Sequence, residues 1–424
     1  MGVYERSTLP NGIRVLTAPM PNAQSVSCFV MLAAGSRYET RETSGIAHFA
    51  EHMFFKGTER RPRSRDITTE IDSIGGEFNA FTGKEYTGYY VRCAADQRDV
   101  AFDVLVDMLR NSKFDPEEID REKGVIVEEM NMYFDTPRDL IGGVYDRLLY
   151  GDQPLGWDII GSKETVRAAT RDTFLDYVGR WYRPERMVVG VGGKVGPGLE
   201  QMLTELLGDL EAAPTPRPEP VSLPQNGSGP HVHVHTKASD QAHLCLGVRS
   251  YPLEHPDRYA LQLLTTILGG GMSSRLFLEV RERRGLAYYV FGLNNSYTDA
   301  GSLYAQAGVD INRIDDAIAT IAGELKRITD EPVPAEELEK ARASAKGRFV
   351  LQLESPHGTI MFGIRREVLE GRAIEPQEVL DGLDAVTAED VQRVAQDVIG
   401  RNALHLALIG PFEDDADRFE ALLR

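Results

Sequence analysis

The chain has 424 residues, of which 42% are hydrophobic and 26% charged, so its composition is that of a globular protein and excludes a disordered or fibrous one. There are 65 acidic and 47 basic residues, and the net charge of −18 argues against nucleic acid or an anionic membrane as the main partner. Three cysteines, at positions 28, 93 and 245, are too few for a disulfide framework and favour a reducing compartment.

The N-terminal segment, residues 1–22, contains no apolar run of the length found in signal peptides. No later stretch approaches the roughly 20 consecutive apolar residues that a membrane span requires. The sequence therefore predicts a cytoplasmic protein.

Strand and helix patterns both occur in the first half of the chain. Segments rich in β-branched and aromatic residues predict strands at 12–19, 25–35 and 85–95, the last preceded by a hairpin turn at Gly83-Lys84. Helical periodicity is found at 44–55, 65–74, 97–111 and 116–134. Because the two patterns do not alternate strictly, we expect an α+β fold with mostly antiparallel sheets packed by helices.

The middle of the chain carries a Pro-rich and then Gly/Ser-rich stretch, AAPTPRPEPVSLPQNGSGP, at residues 212–230. Such a composition is typical of a linker. It predicts an N-terminal domain at 1–211 and a C-terminal domain at 231–424.

The two halves also resemble each other. Pro116 and Pro334 each precede an acidic helical segment, and Thr170 and Thr387 each precede a helix followed by a strand. The nearly constant offsets of 218 and 217 residues predict that the two domains arose by duplication.

The motif GIAHFAEHMFFKGT has the spacing of a metal site. On a helix, His48 and His52 lie one turn apart on the same face, where two imidazoles can reach one metal ion. Glu51 lies beside them and can accept a proton from a water molecule on that metal. The order H-x-x-E-H inverts the commoner H-E-x-x-H pattern. The alternative is a helix that holds two histidines and a glutamate on a partly polar face by chance.

A tetrahedral catalytic zinc site needs a third protein ligand. In the segment 117–135, Glu122 and Glu129 lie within about 60° of Ile126, on the apolar stripe of the predicted helix, whereas Glu128 lies about 160° away. Carboxylates directed toward a core are costly unless they are paired or bind a metal. The helix phase therefore makes this inward pair the candidate for completing the site.

The pattern His48-x-x-Glu51-His52, followed 77 residues later by Glu129, resembles the pitrilysin-like inverzincin metallopeptidases, in particular the branch of the mitochondrial processing peptidase and its bacterial relatives. The resemblance extends over nearly the whole chain. It implies that one zinc ion per chain is held by the two histidines and Glu129, that Glu51 is the general base, and that Glu122 supports the site.

Two further segments share this resemblance. FNAFTGKEYTGYY is similar to the edge strand of the family's active site, where Asn79, Ala80 and Phe81 would bind an extended substrate through main-chain hydrogen bonds. VRERRGLAYYV carries Arg281 and Tyr288, which correspond to the pair that contacts the substrate backbone near the scissile carbonyl. Without the family, the first segment would be a surface hairpin and the second a charged turn before a strand.

The resemblance implies a zinc endopeptidase that cleaves extended or unfolded peptides and works as a homodimer or as a heterodimer with a related chain. One alternative is a non-catalytic subunit like the core proteins of the respiratory bc1 complex, which share the fold. Another is a peptide-binding chaperone with structural zinc, although structural zinc usually has four protein ligands.

Two other motifs carry less information. LGGGMSSRLF, at 268–277, lacks the Gly-Lys-Ser/Thr ending of a phosphate loop and is expected to cap or hinge a helix. HVHVH places His231, His233 and His235 on one face of a strand. Either a second metal site or an exposed first strand fits this pattern, and the exposed strand is the simpler interpretation.

Overall fold

The computed structural model describes residues 2–214, 219–222, 231–413 and 415–423, and they form two compact units. Unit 1 contains residues 1–130, 158–219 and 350–376, and unit 2 contains residues 131–157, 220–349 and 377–424. Most of the predicted linker at 212–230 lies outside the described residues.

Strands and helices of ordinary length make up both units. In chain order, the strands are β1 (Glu5–Thr8), β2 (Arg14–Pro19), β3 (Ser25–Leu32), β4 (Glu77–Thr82), β5 (Thr87–Ala94), β6 (Met187–Gly193), β7 (His231–Thr236), β8 (Ala242–Ser250), β9 (Ala287–Ser296), β10 (Gly301–Val309) and β11 (His405–Gly410). The helices are α1 (Ile46–Phe54), α2 (Ser64–Ser73), α3 (Arg98–Asn111), α4 (Pro116–Asp135), α5 (Pro137–Tyr150), α6 (Lys163–Ala168), α7 (Arg171–Trp181), α8 (Leu199–Leu207), α9 (Arg258–Gly269), α10 (Ile314–Asp330), α11 (Ala335–Gln352), α12 (Pro356–Glu370), α13 (Pro376–Ala385), α14 (Ala388–Ala395) and α15 (Ala416–Ala421). In the described part of the chain, π-helical segments occur at Phe277–Arg283 and Gln396–Gly400.

Each unit is built on one mixed sheet. The order in unit 1 is β1-β2-β6-β3-β5-β4, and the order in unit 2 is β7-β11-β8-β10-β9. The pairs β2–β6 and β7–β11 are parallel, and the other described pairs are antiparallel. If β1 is set aside, the two sheets therefore share strand order and direction. The expected α+β fold, with mostly antiparallel sheets packed by helices, is confirmed.

The sheet of unit 1 is packed by a helix from late in the chain. Ile360 and Ile364 of α12 are fully buried in one cluster with Phe29 and Met31 of β3. The packing is close because β6 contains glycine at the contact: a Cβ added at Gly192 would lie 2.3 Å from a backbone oxygen of α12. The sequence GVGG in β6 therefore lets helix backbone approach sheet backbone.

The sheet of unit 2 is packed by a helix from early in the chain. Ile141 and Tyr145 of α5 are fully buried in one cluster with Ala407 and Ile409 of β11. Helix α5 follows α4, as α12 follows α11, so equivalent helices from the two halves of the chain are exchanged between the units. The sequence contains no feature that predicts this exchange.

The predicted local elements are found with boundary shifts of a few residues, and helix capping explains some of the ends. The amide of Thr170 donates to the hydroxyl of Thr173 at 3.1 Å at the start of α7. At the start of α14, the hydroxyl of Thr387 accepts from the amide of Asp390 at 3.1 Å. The glycine-rich segment after residue 268 ends α9, as expected for a helix cap.

Among the described residues, no helix is both long and apolar enough to cross a membrane. All three cysteines are buried and unpaired. Strand β7, which carries the three alternating histidines, lies at the edge of its sheet, and no group of three metal-binding side chains is found there among the described residues.

One buried histidine predicts that the folded protein becomes less stable as the pH is lowered. His405 is 3% exposed, and burial, with smaller effects of Arg249 and His231, lowers its pKa to about 4. In the unfolded chain the pKa is about 6.5, so between pH 6.5 and 4 unfolding takes up a proton that the folded protein excludes. The free energy of unfolding should fall as the pH is lowered through this range, by on the order of 3 kcal/mol from this group.

His405→Asn removes the titrating group and keeps a donor for the Ala403 carbonyl, which the His405 ring contacts at 2.9 Å. Urea unfolding at several pH values should show a smaller loss of stability on acidification than in the wild type. The same substitution at the more exposed His255 is the control. Equal pH dependence in the wild type and His405→Asn would contradict the prediction.

Candidate metal centre

Helix α1 carries the H-x-x-E-H motif, and its first turn is fixed by tertiary contacts. Gly45, which precedes the helix, has φ +94°, and an added Cβ would lie 2.6 Å from the carbonyl oxygen of Ile160. The buried carboxylate of Glu39 accepts hydrogen bonds from the amides of Gly45 at 2.8 Å and Ala47 at 2.7 Å. An acceptor at this end satisfies amides that lack partners inside the helix. The position and orientation of α1 are therefore well defined.

The structure brings His48, His52 and Glu129 together. The two imidazole rings project from one face of α1 with centroids 4.7 Å apart, and Glu129 reaches them from α4. Its Oε1 lies 3.7 Å from Nε2 of His48, and its Oε2 lies 3.6 Å from Nε2 of His52. Within the described parts of the chain, this is the one group of three or more His, Cys, Asp or Glu side chains with the geometry of a metal site.

The distances and protonation states in this group suit a divalent metal. Ligand atoms in a tetrahedral zinc site with bonds of 2.0 to 2.1 Å are separated by about 3.4 Å. The contacts of 3.6 and 3.7 Å involve different oxygens of Glu129, and one ligand atom from each of the three residues lies within 4.8 Å of the other two, so the three side chains have to move closer together to hold one ion. Burial, together with the neighbouring His52, lowers the pKa of His48 to about 4, so the ring is neutral at physiological pH, as a metal ligand must be.

A further carboxylate orients His52. Nδ1 of His52 lies 2.9 Å from Oε1 of Glu122, which is 4% exposed. Because a carboxylate can only accept, Nδ1 carries the proton and Nε2 is left free for a metal. The other oxygen of Glu122 forms an ion pair with Lys56. Glu122, expected to support the site, thus contacts a candidate ligand directly.

The relative placement of the two neighbouring glutamates agrees with the predicted helix phase. Glu129 is directed toward α1 with 36% of its side chain exposed, whereas Glu128 is exposed to solvent. Ile126 and Met130 on the same stripe are fully buried. The helix phase predicts that Glu122 and Glu129 both face a core. Glu122 is 4% exposed and agrees with this prediction, whereas the side chain of Glu129 is 36% exposed and agrees less well.

The candidate base, Glu51, lies on α1 between the histidines and the edge strand. Its Oε2 accepts a hydrogen bond of 2.6 Å from the hydroxyl of Thr82, the last residue of β4. Burial raises the pKa of Glu51, while the Thr82 contact opposes that shift. A carboxyl group whose pKa moves toward neutrality is a better general base at physiological pH.

Strand β4 lies at the edge of the sheet and contains Asn79, Ala80 and Phe81. It pairs with β5, so its other edge offers main-chain groups of the kind that bind extended peptides. The amide of Ala80 donates at 2.8 Å to the side chain of Asn79. A peptide that pairs with this amide has to displace that side chain.

The comparisons with known proteins cover most of the chain. Residues 14–162 match the family described as insulinase (peptidase family M16), and residues 168–345 match the peptidase M16 inactive domain. The uncharacterized zinc protease YmxG of Bacillus subtilis is 36% identical over 96% of this chain and 98% of its own length.

The chain belongs to peptidase family M16. An uncharacterized zinc protease of Streptomyces coelicolor is 35% identical over 98% of this chain and 91% of the relative. The crystal structure of a protease from Helicobacter pylori superimposes with a TM-score of 0.90 at 23% identity, covering 97% of this chain and 100% of the other, which supports the fold.

The M16 inactive-domain match includes the two remaining candidate residues, which lie in unit 2. Arg281 belongs to the π-helical segment 277–283, and Tyr288 lies at the start of β9. The Arg281 guanidinium lies 4.9 Å from the centroid of the Phe277 ring and 5.8 Å from that of Tyr288, whose side chain is among the most exposed large hydrophobic groups at 73%. π-Helical turns often occur at functional sites.

Three residues at this M16 site are not among those predicted from the sequence. Lys56 lies four residues after His52, and this helical spacing could have identified it as a neighbour. Glu39 lies 6 residues before its partner Gly45, and Thr82 lies 31 residues after its partner Glu51. No local periodicity predicts such contacts.

Proposed function

We propose that this M16 protein is a zinc-dependent endopeptidase that cleaves extended or unfolded peptides, and that it is a bacterial member of the branch that resembles the mitochondrial processing peptidase. The convergence of His48, His52 and Glu129 beside Glu51 carries the proposal. Full-length relatives that are named zinc proteases support it.

The proposed reaction assigns separate roles to the side chains of unit 1. The chemistry that zinc would supply in such a site is polarisation of a peptide carbonyl and a lowering of the pKa of a water molecule to about 7. His48, His52 and Glu129 would hold the ion, and Glu122 keeps His52 in the tautomer that can bind it. Glu51 accepts the proton from the attacking water and returns it to the leaving amine.

The proposed substrate class follows from the edge strand. An extended peptide that adds to β4 is held by main-chain hydrogen bonds, which are insensitive to side-chain identity. A folded substrate offers few unpaired main-chain groups. The preference for extended or unfolded peptides is therefore a consequence of the binding mode rather than of a side-chain pocket.

If Arg281 and Tyr288 bind the substrate backbone, removing one hydroxyl should slow cleavage without disturbing the metal. We expect Tyr288→Phe to lower kcat/KM about tenfold, the effect of losing one hydrogen bond to a group that gains charge in the transition state. Zinc content and thermal stability should not change, because the side chain is 73% exposed. Steady-state kinetics with a fluorogenic peptide provide the measurement.

Tyr90→Phe is the control. Successive side chains of a strand point to opposite faces of the sheet, and Tyr90, which follows Tyr89 on β5, lies on the face that α12 covers. Its kinetics should equal those of the wild type. Equal rates for Tyr288→Phe and Tyr90→Phe would remove Tyr288 from the proposed active site.

We further propose that the protein acts with a second chain, as a homodimer or as a heterodimer with a related chain. The non-catalytic alternative, a core-type subunit or peptide-binding partner of the same fold, is disfavoured because the candidate ligands and the candidate base are all present and adjacent. Light scattering of the purified chain, alone and with M16 proteins from the same source, would decide between the two assemblies.

The decisive experiment measures metal and cleavage together. The purified protein, loaded with zinc, is incubated with a library of peptides from a proteome digest, and new termini are identified by mass spectrometry. We expect cleavage that a chelator abolishes and that added zinc restores. A zinc-loaded protein that leaves the library intact, alone and mixed with the related chain, would contradict the proposed activity.

A further inference from the structure

The hydroxyl of Thr82 links the edge strand to the candidate base. Thr82 is the last residue of β4, and its Oγ1 donates to Oε2 of Glu51 at 2.6 Å, a short bond typical of a hydroxyl on a carboxylate. Among the described residues, Oε1 of Glu51 has no hydrogen-bond donor. The bond therefore fixes the carboxylate through one oxygen and leaves the other to accept a proton.

The donor itself is held in place by the turn that follows it. The amide of Ser36 donates to the carbonyl of Gly83 at 3.1 Å, and the amide of Arg37 donates to the carbonyl of Lys84 at 2.8 Å. A nearly fully buried ion pair joins Arg37 to Glu85 at 2.6 Å. The hairpin is thus attached to the segment that leads into α1.

This segment also fixes the start of α1, because Glu39 accepts from the amide of Gly45, which precedes the helix, and from that of Ala47 in its first turn. Both partners of the Thr82–Glu51 bond are consequently attached to the same stretch, residues 35–47. Groups held in this way lose little conformational entropy when they react, which is the basis of preorganisation. A hydroxyl in this position can restrict a glutamate that otherwise rotates about three bonds.

We propose that Thr82 is a positioning residue for Glu51: its hydroxyl holds one carboxylate oxygen so that the other is directed toward the water that attacks the substrate. The inference rests on the proposed peptidase function. It adds to that function a link between the strand that binds the peptide and the group that moves the proton.

Three variants test this role. Thr82→Val keeps the shape of the side chain and removes the donor, Thr82→Ser keeps the donor, and Thr69→Val makes the same change at an exposed position of α2. With zinc bound, we expect kcat of Thr82→Val to fall about tenfold with KM and zinc content unchanged. Thr82→Ser and Thr69→Val should retain wild-type kcat. An unchanged kcat in Thr82→Val would overturn the proposal.

A structural measurement separates this inference from the proposed function. In crystals of the zinc-loaded proteins, we expect one Glu51 rotamer in the wild type and Thr82→Ser, and more than one in Thr82→Val. The same single rotamer in all three would refute the role of Thr82, whether or not the protein cleaves peptides. A wild type that binds zinc but never cleaves would contradict the proposed function, and the rotamers would still decide the role of Thr82.

Discussion

Glu51→Gln should abolish most peptide cleavage while leaving the metal in place. Glutamine has nearly the same volume, and its carbonyl oxygen can still accept the hydrogen bond that Thr82 donates to Glu51. It cannot accept a proton at physiological pH, so the variant lacks the proposed general base. Loss of general-base catalysis typically costs about 10² to 10⁴ in rate. We therefore expect kcat to fall at least ~100-fold.

The measurement combines steady-state kinetics with metal analysis of the same preparation. Zinc should remain near one per chain, because neither histidine nor Glu129 is altered. Glu59→Gln, at an exposed position that follows the same motif, is the control and should behave like the wild type. Wild-type turnover in purified Glu51→Gln would refute the assignment of the base.

Glu129→Gln should lose the metal itself, and Glu128→Gln should not. The two residues are adjacent, but only Glu129 approaches both imidazoles, at 3.6 and 3.7 Å. Removing even an outer partner of a ligand weakens metal binding by about 10- to 100-fold, and removing one of three direct ligands should cost at least that much. We expect zinc affinity to fall roughly 100-fold or more and activity to disappear with it.

Zinc affinity is measured by competition with a chromophoric chelator, so the result does not depend on a substrate. Glu128→Gln makes the same chemical change one residue away, on the exposed face of α4. Its affinity should equal that of the wild type. Loss of zinc in Glu128→Gln with retention in Glu129→Gln would reverse the ligand assignment, and small equal losses would place the third ligand elsewhere.

Much of the candidate site follows from sequence because it depends on helix geometry. The spacing of His48 and His52 places both rings on one side of α1, and the 100° advance per residue separates Glu129 from Glu128 on α4. Both placements require no knowledge of the tertiary fold. The fold class could be predicted for the same reason, since strand and helix periodicity are local properties, and the two sheets confirm it.

The contacts that fix the site could not be predicted in this way. The carboxylate of Glu39 and the hydroxyl of Thr82 become neighbours of α1 only when separate elements pack together. Their residue types give no signal, because acidic and hydroxyl side chains occur throughout the surface. The roles of Arg281 and Tyr288 remain predictions from the family resemblance.

The reciprocal placement of α5 and α12 has a consequence for synthesis on the ribosome. The sheet of unit 1 ends with β6 at residue 193, but the helix that packs against it spans residues 356–370. Until that helix leaves the exit tunnel, the nascent chain exposes the apolar face formed by Phe29, Met31 and Val188. The first half of the chain therefore cannot complete its fold before most of the second half has been synthesised. The nascent chain should need chaperones until translation is nearly finished.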